Sequence, residues 1–261
     1  LADIAPLLED NSLFVREAAI LAHGTSGAAA AVPTLLDLAR RGSLASGETP
    51  SANTRELALL ALGLGRRAGL RASIDPLVAT WLEEQDDDPL LAHGAMLYHA
   101  LAGDEELDDS ALRWLHDEDA LSVLRCRAAE SLGQGGNPEA IGPLTEALGS
   151  RNRHVRRSAA LSLGQLQHPL VVGPLQTAFE LERNELTRGF LLMGMAEHGG
   201  EDVRSMLAEV LDDGPGGLRP FAALALGLQA RTDDDEISRQ ILRRALDDSG
   251  HFSLLLGGRG A

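Results

Sequence analysis

The sequence predicts an all-α solenoid of about eight stacked helical hairpins. Three observations carry this. First, one phrase recurs: "FVREAAILAHGT" at 14–25 returns as "HVRRSAALSLGQ" at 154–165 and "LRPFAALALGLQ" at 218–229. Second, a shorter phrase of the form [IV]-x-P-L precedes most copies, as in "IGPLT" at 141–145. Third, apolar positions such as Leu144 and Leu148, then Val155, Ala159 and Leu163, follow the helical period. Nothing sustains the period of two that marks strands.

Each hairpin is a helix A opened by the short phrase, a polar turn, and a helix B that starts with Arg and closes eight positions later on Gly or Ala. The first reads "IAPLL", the turn "EDNS", then Val15-Arg16 to Gly24. The second has "VPTLL" at 32–36 and Thr54-Arg55 to Gly63. Between them lies "RGSLASGETPSAN", 41–53, whose polar Gly/Ser/Pro composition predicts an irregular loop. The third has "IDPLV" at 74–78, Trp81, the acidic turn Asp86-Asp87-Asp88 and a degenerate copy from His93-Gly94 to Ala102. The fourth turns at "DEDA" into Leu124-Arg125 to Gly133, and the fifth at "GSRNR" into Val155-Arg156 to Gly164. The sixth pairs "VGPLQ" at 172–176 with Thr187-Arg188 to Ala196, and the seventh passes "DDGPGG" into Leu218-Arg219 to Gly227.

The Arg slots are spaced 39 (16 to 55), 39 (55 to 94), 31 (94 to 125), 31 (125 to 156), 32 (156 to 188) and 31 (188 to 219). One further step of 31 reaches Gly250 in "SGHFSLLLGG", a partial eighth unit. Proline near the start of helix A is harmless, because its missing N–H would be unpaired there. A lone hairpin cannot bury its apolar face, so stacked neighbours must share a core. Small residues at Ala159, Ser162 and Gly164 allow close approach. The last helix B ends the chain at "LLLGGRGA" with no polar cap after it. That end and the start on Leu lead us to expect a fragment of a longer protein, with further repeats or another domain docking at the C-terminal end.

These residues resemble HEAT repeats, specifically the short type of phycobilisome-lyase-like proteins. The carriers are "VRRSAALSLG", the [IV]-x-P-L opening and the period near 31. The resemblance spans nearly the whole chain and implies one right-handed α-solenoid over 1–261. Such repeats serve scaffolds and adaptors and a few enzymes, so it implies no single activity.

Composition narrows the role. The chain is 44% hydrophobic and only 3% aromatic, so Leu, Ala and Val build the core. All 23 basic residues are Arg, against 39 acidic ones, for a formal charge of -16. That balance repels phosphate backbones and argues against nucleic-acid partners. No segment approaches the length of a membrane span. The single cysteine, Cys126, excludes an internal disulfide but leaves the compartment open between cytoplasm and export.

Candidate chemistry is sparse. The Arg ladder (Arg16, Arg55, Arg125, Arg156, Arg188 and Arg219) could form an anion-binding stripe, or each Arg could bond carbonyls or an acidic turn residue next to it. A register kept through the repeats serves stacking, so we read the ladder as structural. HEAT-repeat hydroxylases of the deoxyhypusine type hold iron through His-Glu dipeptides. None of the eight histidines is followed by Glu, and Glu197-His198 is the reverse order. We therefore expect no metal. The acidic runs at 86–88, 104–106 and 233–236 lack the alternating calcium loop. Cys126 has no identifiable base, and "GLGRRAGLR", 63–71, follows a helix rather than the strand a phosphate loop requires. No catalytic or cofactor-binding residue is expected.

The expected function is a scaffold that binds a protein or peptide through the face lined by helices B. A bilin-lyase-like enzyme or accessory factor is the alternative from another class, and a structural segment of a larger multidomain or exported protein is a third. The candidate docking residues are Phe190, Phe221 and Phe252, two positions after the Arg slot, and Met193, Leu224 and Leu255, one turn further on nearly the same side. Two readings of these residues stand: ordinary core between the helices of each hairpin, or an exposed apolar groove.

Overall fold

The computed structural model describes residues 5–40, 51–84, 89–102, 109–232 and 236–247. These residues form helices and turns with no strand among them. Contacts divide the chain into two compact units, Leu1–Asn137 and Pro138–Ala261.

The first unit holds α1 (Leu13–Thr25), α2 (Val32–Ala39), α3 (Ala52–Gly65), α4 (Arg71–Glu84), α5 (Pro89–Ala102), α6 (Asp109–His116) and α7 (Ser122–Gly135). The second holds α8 (Ile141–Ala147), α9 (Arg153–Gln165), α10 (Val172–Leu181), α11 (Glu185–His198), α12 (Glu201–Asp213), α13 (Arg219–Thr232) and α14 (Glu236–Asp247). Odd-numbered helices are the helices B. In the first unit α1 packs on α3, α3 on α5 and α5 on α7; in the second α9 packs on α11 and α11 on α13. Hairpin partners α2–α3, α6–α7, α8–α9, α10–α11 and α12–α13 also touch. This is the stacking of a HEAT-like solenoid, with apolar faces shared between successive hairpins.

At Gly24, Gly63 and Gly164 the glycine that closes the repeated phrase marks where two helices B meet backbone to backbone. A Cβ on Gly24 of α1 would lie 2.5 Å from the Ala61 carbonyl oxygen of α3. One on Gly164 of α9 would lie 2.5 Å from the Gly194 oxygen of α11 and 2.8 Å from its Cα. Any side chain there would push the helices apart. Around these contacts Ile20, Leu59, Leu62 and Ile74 fill the first core, and Leu144, Val155, Leu163, Leu175 and Leu192 the second, all fully buried.

Asn and Ser set several helix starts. Asn152 Oδ1 accepts from the His154 N–H at 2.9 Å, and Asn184 Oδ1 from the Thr187 N–H at 3.0 Å. Ser51 does the same for α3, its Oγ accepting from the Thr54 N–H at 3.1 Å. The cap corrects the expected loop boundary: Ala52 and Asn53 are helical, because Ser51 satisfies an amide that a loop would leave to water. The rest of that loop, 41–50, lies outside the described residues, as do the acidic runs 86–88 and 104–106. After α3 the chain makes a wide turn, Arg66–Leu70, with Gly69 at φ 100°, where glycine alone avoids strain. The "GLGRRAGLR" stretch is thus the junction between two helices.

Candidate functional site

The ladder arginines sit in the first turns of helices B and reach the ends of helices A. Arg55 Nε donates to the Ala39 carbonyl at 2.9 Å while only 4% exposed. Arg16 Nη1 donates to Asp10 O at 3.1 Å, Arg125 Nε to Leu115 O at 3.1 Å, Arg156 Nη1 to Ser150 O at 2.9 Å and Arg219 Nε to Gly214 O at 2.9 Å. Each acceptor lies at or just past the C-terminal end of the preceding helix, where carbonyls lack intrahelical donors and the helix dipole is negative. Arg188 differs. Its guanidinium lies over the Phe179 ring, 4.2 Å from the centroid, and its buried Nε has no hydrogen-bond partner among the described residues.

Arg156 also bridges hairpins, its Nε donating to Glu182 Oε2 at 2.7 Å. Burial opposes ionisation of Glu182, but the Arg156 hydrogen bond and the Asn184 backbone N–H outweigh it and hold the carboxyl below the usual range.

The candidate docking residues lie on the exposed side of the helices B of the second unit. Phe190, Met193 and Phe221 are half-buried, and Leu224 is 55% exposed. The Phe190 and Phe221 centroids are 6.3 Å apart with a 43° tilt. Phe221 of α13 lies flat against the preceding helix B, α11, where a Cβ on Gly189 would meet its ring at 2.5 Å. The rings therefore bridge α11 and α13, with part of their surface left in solvent. Phe252 and Leu255 lie outside the described residues.

Arg157 was not among the sequence candidates, yet it extends this row. Its guanidinium lies 5.7 Å from the Phe190 centroid. Its Nε donates to Thr187 Oγ1 at 3.1 Å and its Nη2 to Asn184 Oδ1 at 3.1 Å, which fixes it across α9 and α11. Burial, then the neighbouring Arg153 and Arg156, push its pKa below the ordinary arginine value. The signal was in the sequence: the position after the Arg slot is Glu17, Glu56, Ala95, Cys126, Gly189 or Pro220 elsewhere, and a second Arg only here.

An open groove of about 860 Å³ runs between α8 and α10, lined by Leu148, Pro174, Leu181, Arg156 and Glu182 among others. Elsewhere, Tyr98 is buried, its hydroxyl donating to Asp75 Oδ1 at 3.0 Å, with Arg66 Nη2 on Asp75 Oδ2 at 3.1 Å. Cys126 is half-buried; Arg125 beside it is spent on Leu115, and Arg127 pairs with Glu130 at 2.7 Å. No group of three or more His, Cys, Asp or Glu among the described residues could hold a metal ion. None of their helices is long and apolar enough to cross a membrane.

Residues 109–189 match the HEAT repeats family. No curated protein matches the chain in sequence. Among solved structures, the complex of CpcE and CpcF of phycocyanin lyase from Nostoc sp. PCC7120 is 19% identical, covers 92% of this chain and 92% of that chain, and superposes with a TM-score of 0.52. Human deoxyhypusine hydroxylase in complex with glycerol is 22% identical over 88% of this chain and 84% of that chain, with a TM-score of 0.43.

Proposed function

We propose that this chain, folded as a HEAT-like solenoid, binds another protein along the helix-B face of α9, α11 and α13. One observation carries the reading: Phe190, Met193, Phe221 and Leu224 form an apolar row that the fold leaves partly in water. Burying such a row gains about 25 cal/mol per Å² of apolar area. A partner helix presenting apolar residues at helical spacing matches a row of this kind. Leu224→Asp tests it, because Leu224 is more than half exposed and the change leaves the core intact. Affinity capture with the full chain should return a partner that the variant fails to hold. The same partner on both proteins would remove the reading.

The phycobilisome-lyase type of the repeated phrase supports a second reading, a bilin-lyase-like enzyme or accessory factor. Incubation with a bilin separates the two. Enzymatic or carrier function requires a new visible absorbance band that co-elutes with the protein, and the scaffold reading requires none.

A further inference from the structure

The partner's chemistry can be narrowed from charge, in an inference that rests on the helix-B reading above. The chain is strongly acidic, yet residues 147–179 hold four arginines (Arg151, Arg153, Arg156 and Arg157) and no Asp or Glu. Arg153 and Arg157 lie one turn apart on α9 and so share a side of it. Arg153 is exposed and makes no side-chain hydrogen bond or ion pair among the described residues. Arg157 is half-buried with its guanidinium on the Phe190 ring, and its two hydrogen bonds go to neutral oxygens, Thr187 Oγ1 and Asn184 Oδ1. Glu182 is held by Arg156 at 2.7 Å. Arg157 therefore stands against the partly exposed Phe190 ring with Arg153 one turn before it on α9; Glu182 acts on Arg157 through its charge, but no carboxylate is bonded to either arginine.

We propose that this face takes an acidic segment of a partner protein that also carries an aromatic or aliphatic residue, with carboxylates against Arg153 and Arg157 and the apolar side chain against Phe190 and Phe221. Arginine suits the task because its planar fork pairs with a carboxylate in bidentate fashion while its flat face stacks on a ring. A desolvated guanidinium beside like charges gains more from an incoming anion than an isolated surface one. A polyanion such as duplex DNA fits less well, because the chain as a whole carries a formal charge of -16 that repels it.

The test selects a displayed library of random peptides about twelve residues long against the full chain, then measures the dominant peptide by fluorescence anisotropy. The selected pool should be rich in Asp and Glu together with Phe, Trp or Leu. Affinity should fall roughly tenfold between about 50 and about 500 mM salt. Arg153→Glu, on an exposed side chain, should weaken binding about fivefold or more with unchanged circular dichroism. Arg157→Met keeps the stem on Phe190 and should weaken it similarly; it stays informative if the first variant disturbs α9. A pool without acids, or an acidic peptide indifferent to both variants, overturns the inference. If apolar, uncharged peptides are selected and lost in Leu224→Asp, the helix-B face still binds protein and only the acidic partner is wrong. A pool indifferent to all three variants removes both. Duplex DNA binding as tightly as the peptide, or a concentration-dependent dimer that Arg153→Glu dissolves, replaces the proposed occupant.

Discussion

Replacing Gly164 with alanine adds one methyl group where α9 and α11 meet. The new Cβ would lie 2.5 Å from the Gly194 oxygen, 2.8 Å from its Cα and 3.0 Å from its carbonyl carbon, all backbone atoms that cannot rotate away. Relief requires the two helices to separate by several tenths of an ångström, which loosens the side chains packed between them. Overpacking of this kind costs about 1–3 kcal/mol. Alanine is the better helix former by about 1 kcal/mol, which offsets part of the cost. The net expectation is a loss of up to about 2 kcal/mol, or a fall of up to about 4–8 °C in melting temperature. Gly173 of α10 is the control, because a Cβ there meets nothing within 4 Å. Gly173→Ala should be neutral or stabilising by up to about 1 kcal/mol. Urea unfolding followed by circular dichroism at 222 nm, run on both variants, reads the difference. If Gly164→Ala is as stable as Gly173→Ala, the close helix contact is wrong.

Three further outcomes follow from other contacts. Arg55→Met should lower unfolding free energy by about 1–3 kcal/mol in urea titration, because it leaves the buried Ala39 carbonyl without its donor. Phe221→Ala should cost about 1–3 kcal/mol, less than truncating a fully buried phenylalanine, since its ring is only half-buried; a loss above about 4 kcal/mol would make it core. The Glu182 carboxyl titrates lower in the folded protein than unfolded, so its contribution is complete above the unfolded value of about 4.3 and is lost as pH falls through the lower folded one. Glu182→Gln should therefore be less stable than wild type at neutral pH, with the gap closing in acid; a gap that stays constant down to about pH 3 would contradict the Arg156 pairing.

Much of the fold was legible because a solenoid writes its contacts periodically. The Arg slot and the closing glycine recur at the hairpin spacing, and each marks one contact: Arg55 on the end of α2, Gly164 on α11. Features that break the period were not legible. The Arg157–Phe190 stack depends on two residues 33 positions apart, and nothing local to either predicts the other. Glu182 reads as a turn residue of its own hairpin, yet it pairs with Arg156 of the hairpin before. The start of α3 was missed because Ser51 ends a Gly/Ser/Pro-rich stretch whose composition hid its capping role. The half-buried state of Phe190 and Phe221 fell between core and groove, because it arises from the spacing of α11 and α13, set by Gly189 rather than by the rings.

The central claim is that the helix-B face of the second unit is where a partner sits, and site-specific photo-crosslinking tests it most directly. A benzophenone side chain replaces Leu224 on that face in one protein and Leu170, 67% exposed at the short turn leading into α10, in another. Irradiated in cell extract, the Leu224 probe should give a discrete partner adduct that the Leu170 probe does not. Adducts at Leu170 alone, or the same adducts at both, would contradict the claim.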